Sequence, residues 1–224
     1  MGLLLVAIGF TGAMTRQMNN TKTESRPEAD SPVDIAKLCV SVSCGEYYGC
    51  GTIYSDDESS FTIVTARHIL QDYYDGVSKD IEVTFENNES CSASIYKESE
   101  EIDVVFLSID KCDVSEDYIS VSDCFPGSEF TSDPNSSLTP GEIIYLVDAN
   151  TDDIYAGSLA SPSIYSEDFG MDMILCYCAV TPGMSGTGLF DEEGHYLGIL
   201  LGGSDEAEAV CLDASRILYI LKTI

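Results

Sequence analysis

The stretch Thr181–Phe190, TPGMSGTGLF, sets Ser185 between Gly183 and Gly186, with Gly188 just beyond. Glycines on both sides let the backbone take conformations closed to other residues and let a second molecule approach closely. A nucleophilic serine needs that access. It also needs backbone N–H groups aimed at a developing oxyanion, and Gly183 and Ser185 can supply them. Taken alone, the same letters describe a glycine-rich turn with an incidental serine. The rest of the chain decides between the two.

A serine nucleophile needs a base, and the chain has only two histidines. His68 closes the apolar strand FTIVTA (61–66), in TARHIL, where a strand leaves the core. His195 lies in DEEGHY (191–196), an exposed turn, so His68 is the better base. The third part is an acid that orients the histidine. There are 39 Asp and Glu residues, most of them in polar runs. Asp103 instead begins an apolar strand, DVVFLSI (103–109), where a carboxylate can sit at the edge of a core. Alone, each also fits a plain structural residue.

Around these residues the chain reads as short strands separated by turns. CVSVSC (39–44) alternates with period 2, GEYYG (45–49) reads as the hairpin turn, and the return strand runs 50–54. Strands follow at 61–66, 81–85, 92–96 and 103–109. The stretch 123–139, rich in Ser, Pro, Asp and Gly, reads as a connection. A second series covers 142–147, 154–158, 173–180, 188–190 and 196–201. DASRILYILKTI (213–224) has helical spacing with Asp213 as N-cap. With 224 residues and 44% hydrophobic content, the expectation is an all-β chain with a C-terminal helix, built as two barrels or sandwiches.

Together TARHIL, DVVFL and PGMSGTGLF resemble the histidine, aspartate and serine motifs of chymotrypsin-like (trypsin-like) serine peptidases, particularly the bacterial trypsin-like type. They stand in that family's order, and the resemblance covers roughly residues 37–221. It implies two six-stranded antiparallel β-barrels, residues 34–124 with His68 and Asp103 and residues 125–224 with Ser185 and the terminal helix. It implies the triad His68, Asp103 and Ser185, with Gly183 and Ser185 as the oxyanion hole. It also implies protein or peptide substrates and no cofactor or metal. LGILLGG (197–203) resembles the family's substrate-binding strand, so Leu201, Gly202 and Gly203 match the segment that pairs with substrate backbone. Ala179, six before the serine, falls at the base of the primary pocket and offers no charge to a basic side chain. Met184, Gly188, Ile69 and Arg67 depart from common family residues. Met184 argues against activation by a freed N-terminus pairing with an acid beside the serine.

Composition limits the partners. Ten Lys and Arg against 39 Asp and Glu give a net charge of −29, which repels phosphate backbones and excludes nucleic acid as a partner class. LLLVAIGF (3–10) fits a secretory h-region without its basic n-region, so residues 1–14 read as an export signal or a membrane anchor. Residues 15–33, polar with two prolines, read as a disordered linker. An extracytoplasmic location and nine cysteines, none spaced CxxC, lead to an expected disulfide, Cys44 with Cys50 across the GEYYG turn. Two other readings stay open: an idle family relative that binds peptides, and an acidic protein with calcium-binding loops at 56–58 and 191–193. The second lacks any EF-hand spacing.

Overall fold

The computed structural model describes residues 35–99, 101–114 and 138–223. The N-terminal segment, the linker and most of the 123–139 connection lie outside the described residues.

The described chain forms two closed, antiparallel, six-stranded barrels. The first contains β1 (Cys39–Cys44), β2 (Tyr47–Asp56), β3 (Ser60–Thr65), β4 (Ile81–Thr84), β5 (Ser90–Ser99) and β6 (Val104–Asp110). Its order is β1-β2-β3-β6-β5-β4, and β4 closes on β1. The second contains β7 (Ile143–Asp148), β8 (Asp153–Ser166), β9 (Met171–Tyr177), β10 (Gly188–Phe190), β11 (Tyr196–Ser204) and β12 (Glu208–Asp213). Its order is β10-β11-β12-β9-β8-β7, closed by β7 on β10. Closure leaves neither sheet with a free edge along its full length. Helix α1 (Ile35–Leu38) leads into β1, α2 (Gln71–Tyr74) follows β3, and α3 (Ala214–Thr223) ends the described chain.

Burial follows the pleat. In β4, Ile81 and Val83 point inward and Glu82 outward. In β6, Val104 to Leu107 are all buried, because that strand faces the barrel interior on one side and other protein on the other. Tyr54 and Phe106 of the first barrel and Phe190 and Tyr196 of the second form one aromatic cluster, with edge-on contacts of 5.7–6.2 Å between ring centres. A single apolar cluster therefore crosses the junction and fixes one barrel against the other. Asp213 caps α3 as expected, its carboxylate accepting from Arg216 N at 3.0 Å.

The first hairpin is tighter than the sequence suggests. Gly45 adopts φ +63° and the turn is only Gly45–Glu46, so Tyr47 opposes Cys44 and Cys50 opposes Ser41. The Cys44–Cys50 bridge expected from a longer turn is therefore not formed. Those two are not cross-strand neighbours, and both are buried free thiols. The strand β12, unread in the sequence, completes the second barrel, and β8 extends to 14 residues.

Candidate active site

His68 and Asp103 meet because β3 and β6 pair. Thr65 opposes Val105, so the end of β3 lies beside the start of β6. The chain leaves β3 at Ala66 and turns into a 3₁₀ segment, Arg67–Leu70, which lifts His68 off the sheet. Asp103, one residue before β6, holds it twice. One carboxylate oxygen lies 2.5 Å from His68 Nδ1, and the other accepts the His68 backbone N–H at 2.8 Å. The Arg67 N–H donates to the Asp103 carbonyl at 3.3 Å. The two side chains are 40% and 29% exposed, at the edge of the core rather than inside it. Engagement of Nδ1 turns Nε2 away from the carboxylate, as a base for an incoming hydroxyl requires.

The serine loop is stitched to both barrels. Cys50 N–H on β2 donates to the Ser185 carbonyl at 2.8 Å, and Gly186 N–H donates to Leu200 O on β11 at 2.8 Å. Gly183 (φ +100°) and Gly186 (φ +89°) occupy conformations that L side chains rarely adopt. A Cβ on Gly186 would stand 2.1 Å from Cys50 O and 3.1 Å from Ala66 N, so the loop abuts the strand end that leads to His68. One on Gly49 would stand 2.7 Å from Ser185 O and 2.3 Å from the Ile69 side chain. Ser185 and the residue after His68 thus converge on one glycine. Within the loop, Met184 N–H and Thr187 N–H are spent on Thr181 O and Met184 O, both at 3.1 Å. Among the described residues, the Gly183 and Ser185 N–H groups carry no backbone hydrogen bond. His195 lies away in an exposed turn, bonded to Asp191 at 2.9 Å.

Among the described residues, β11 past Ile199 has a strand partner only on its β12 side, where Gly202 opposes Val210 and Gly203 opposes Ala209. The other edge of Gly202–Ser204 pairs with no strand among the described residues. Leu201 points into the core, whereas Gly202 and Gly203 are half-buried. Ala179 is exposed, beside the half-buried Val180. A Cβ on Gly203 would stand 2.3 Å from Val180 Cγ2, so the two segments that carry Ala179 and Gly203 lie wall to wall. Met184 is fully buried in the apolar cluster of the second barrel.

Sequence reading missed Val180 and a polar cluster formed by Cys50, Asp148 and Asn150. Asn150 Nδ2 donates to the Gly183 carbonyl at 3.0 Å and to Asp148 at 3.0 Å. The signal was present: in EIIYLVDAN, polar residues end an apolar strand, the mirror image of Asp103 at the start of one.

The profile of the trypsin-like peptidase domain matches residues 49–199, which contain all three motifs. No curated protein matches the chain. Among solved structures, the chain is similar to the inactive form of the Rv3671c protease from M. tuberculosis H37Rv. One structure of it, of a serine-to-alanine mutant, gives a TM-score of 0.63 at 16% identity, covering 92% of this chain and 96% of that one. A second gives 0.62 at 17% identity, covering 92% and 99%. The HtrA-type protease AlgW with a tripeptide gives 0.62 at 16% identity, covering 84% of this chain and 60% of that one. At such identities the likeness speaks for the two-barrel fold, and the domain match carries the assignment: this chain belongs to the trypsin-like peptidase family and is a serine peptidase.

Proposed function

We propose that the chain is an exported endopeptidase that cleaves peptide bonds through an acyl-enzyme, with Ser185 as nucleophile, His68 as base and Asp103 as its orienting acid. The bond of 2.5 Å between Asp103 and His68 Nδ1 is the observation that carries this reading. It leaves Nε2 to take the Ser185 proton and return it to the leaving amine. The Gly183 and Ser185 N–H groups receive the oxyanion. Gly202 and Gly203 pair with the substrate backbone. Ala179 and Val180 offer no charge to a side chain held beside Gly203, which supports a broad preference for apolar residues before the scissile bond, since one methylene discriminates by only about 1–3 kcal/mol. The apolar run Leu3–Phe10 supports export, with cleavage or retention as an anchor.

A serine-directed phosphonate should label the protein at Ser185. Ser185→Ala should lower kcat by about 10⁶ and His68→Ala by nearly as much, because triad members act as a unit. His195→Ala should keep full activity. Labelling elsewhere, or an essential His195 with a dispensable His68, would overturn the assignment.

A further inference from the structure

Asn150 lies on the turn between β7 and β8, and its side-chain amide is fully used. Nδ2 donates to Asp148 Oδ1 and to the Gly183 carbonyl, each at 3.0 Å, and Oδ1 accepts from Ser41 Oγ at 2.6 Å. The same Asp148 oxygen accepts the Asn150 backbone N–H at 3.0 Å. Asp148 is 5% exposed. An ionised carboxylate only accepts, so Asp148 decides which end of the amide faces Gly183. The fully buried Cys50 thiol stands 3.4 Å from the same Gly183 oxygen. The cluster joins the first barrel, through Ser41 and Cys50, to the β7–β8 turn and the serine loop.

We infer that Asn150, oriented by Asp148, is a positioning residue that holds the Gly183–Met184 peptide so that the Gly183 and Ser185 N–H groups face the oxyanion. The inference rests on the reading of those two groups as the oxyanion donors. A peptide that follows a glycine at φ +100° meets little steric resistance to turning over. Three bonds oppose it: Met184 N–H to Thr181 O at 3.1 Å, Asn150 Nδ2 to Gly183 O, and the weak thiol donor of Cys50 to that same oxygen at 3.4 Å. With the second removed, the peptide and the donors on either side of it lose a fixed direction. Oxyanion donors act only over about 2.7–3.1 Å, so such a loss falls on the tetrahedral state more than on bound substrate.

The test compares Asn150→Asp and Asn150→Ala with the unaltered full chain. Asp keeps the shape but sets an oxygen against the Gly183 oxygen, whereas Ala leaves room for water. Asn150→Asp should lower kcat about 100-fold, the scale of one lost oxyanion donor, and Asn150→Ala about 10-fold, with KM moved less than about threefold. Affinity for a peptide boronate, which forms a tetrahedral adduct, should fall with kcat. Backbone amide exchange across 181–186 should quicken in both variants. If Asn150→Asp does not fold, Ser41→Ala, which removes only the contact to Oδ1, should give a smaller fall in kcat in the same direction. Unchanged exchange in 181–186 would overturn the inference whatever the activity. So would unchanged kcat and boronate affinity in an active enzyme. Faster exchange in a chain that neither cleaves peptides nor takes the phosphonate would support Asn150's hold on the loop and sink the peptidase mechanism instead.

Discussion

Asp103 differs from the surface acids among the described residues in where it stands, not in what it is. It sits at the step from a turn to a strand whose first four residues are buried, so its carboxylate can accept two bonds from His68 while remaining only 29% exposed. Asp57, a surface acid, spends its carboxylate on the N–H groups of Ser59 and Ser60 at 2.8 Å, which hold its pKa down to about 2 and make it a turn former. Acids also govern a thiol. Cys112 is exposed, yet its hydrogen bond to Asp110 and the charges of Asp110 and Asp113 push its pKa up to about 11. The thiolate is the reactive form, so at pH 8 only about one molecule in 1,000 carries it, against roughly a quarter for an ordinary cysteine. Alkylation of Cys112 in the native protein should therefore be slow at neutral pH and rise about tenfold per pH unit up to about 11. Asp110→Asn should speed it near pH 8. Peptide mapping after timed alkylation checks this, and a rate equal to that of a free cysteine peptide would refute it.

At the level of elements, the sequence was most legible where one strand face is buried and a turn is unambiguous. CVSVSC and GLF were read with their observed bounds, and FTIVTA to within a residue at each end, because their apolar residues have no other place to go. The GEYYG turn was misread because its two tyrosines serve equally well in a strand, and the tight Gly45–Glu46 turn left them there. EAVCLD was passed over as a strand because its burial comes from β9 and β11 on either side, partners that only the closed barrel supplies. The candidate site was legible as three motifs, since each places particular residues in local order. The Asn150 cluster was not, because Ser41, Cys50, Asp148 and Gly183 meet only once both barrels have closed. Gly186 belongs to the same class: its need for glycine comes from Cys50 O, 136 positions away in sequence by the difference of the two numbers. Gly186→Ala should cost about 2–4 kcal/mol, combining the strain of a positive φ with a backbone clash at 2.1 Å. Gly76→Ala, also at positive φ (+72°) but with nothing within 4 Å, should cost only about 1 kcal/mol. Denaturant unfolding separates the two, and equal losses would mean that the serine loop is not held against β2 as described.

For the whole molecule, the charge of −29 is a property no single residue owns. Around the proposed substrate site, where Ala179 and Val180 carry no charge, long-range attraction and local fit would make different demands on a substrate. Neither Ala179 nor Val180 offers a partner charge to Arg or Lys, which would disfavour basic residues just before the scissile bond. Farther along the peptide, basic residues stay solvated and feel only the field. They should raise kcat/KM through faster encounter, and at physiological salt that field is screened within about 8 Å. A peptide series with apolar residues before the cut and zero to four lysines placed remotely separates these effects. At low salt kcat/KM should rise with each remote lysine while kcat stays level, and high salt should flatten the series. Dominant cleavage after Arg or Lys would refute the pocket reading. Equal rates across the series at every salt concentration would refute the steering and leave the acidity as a feature of solubility.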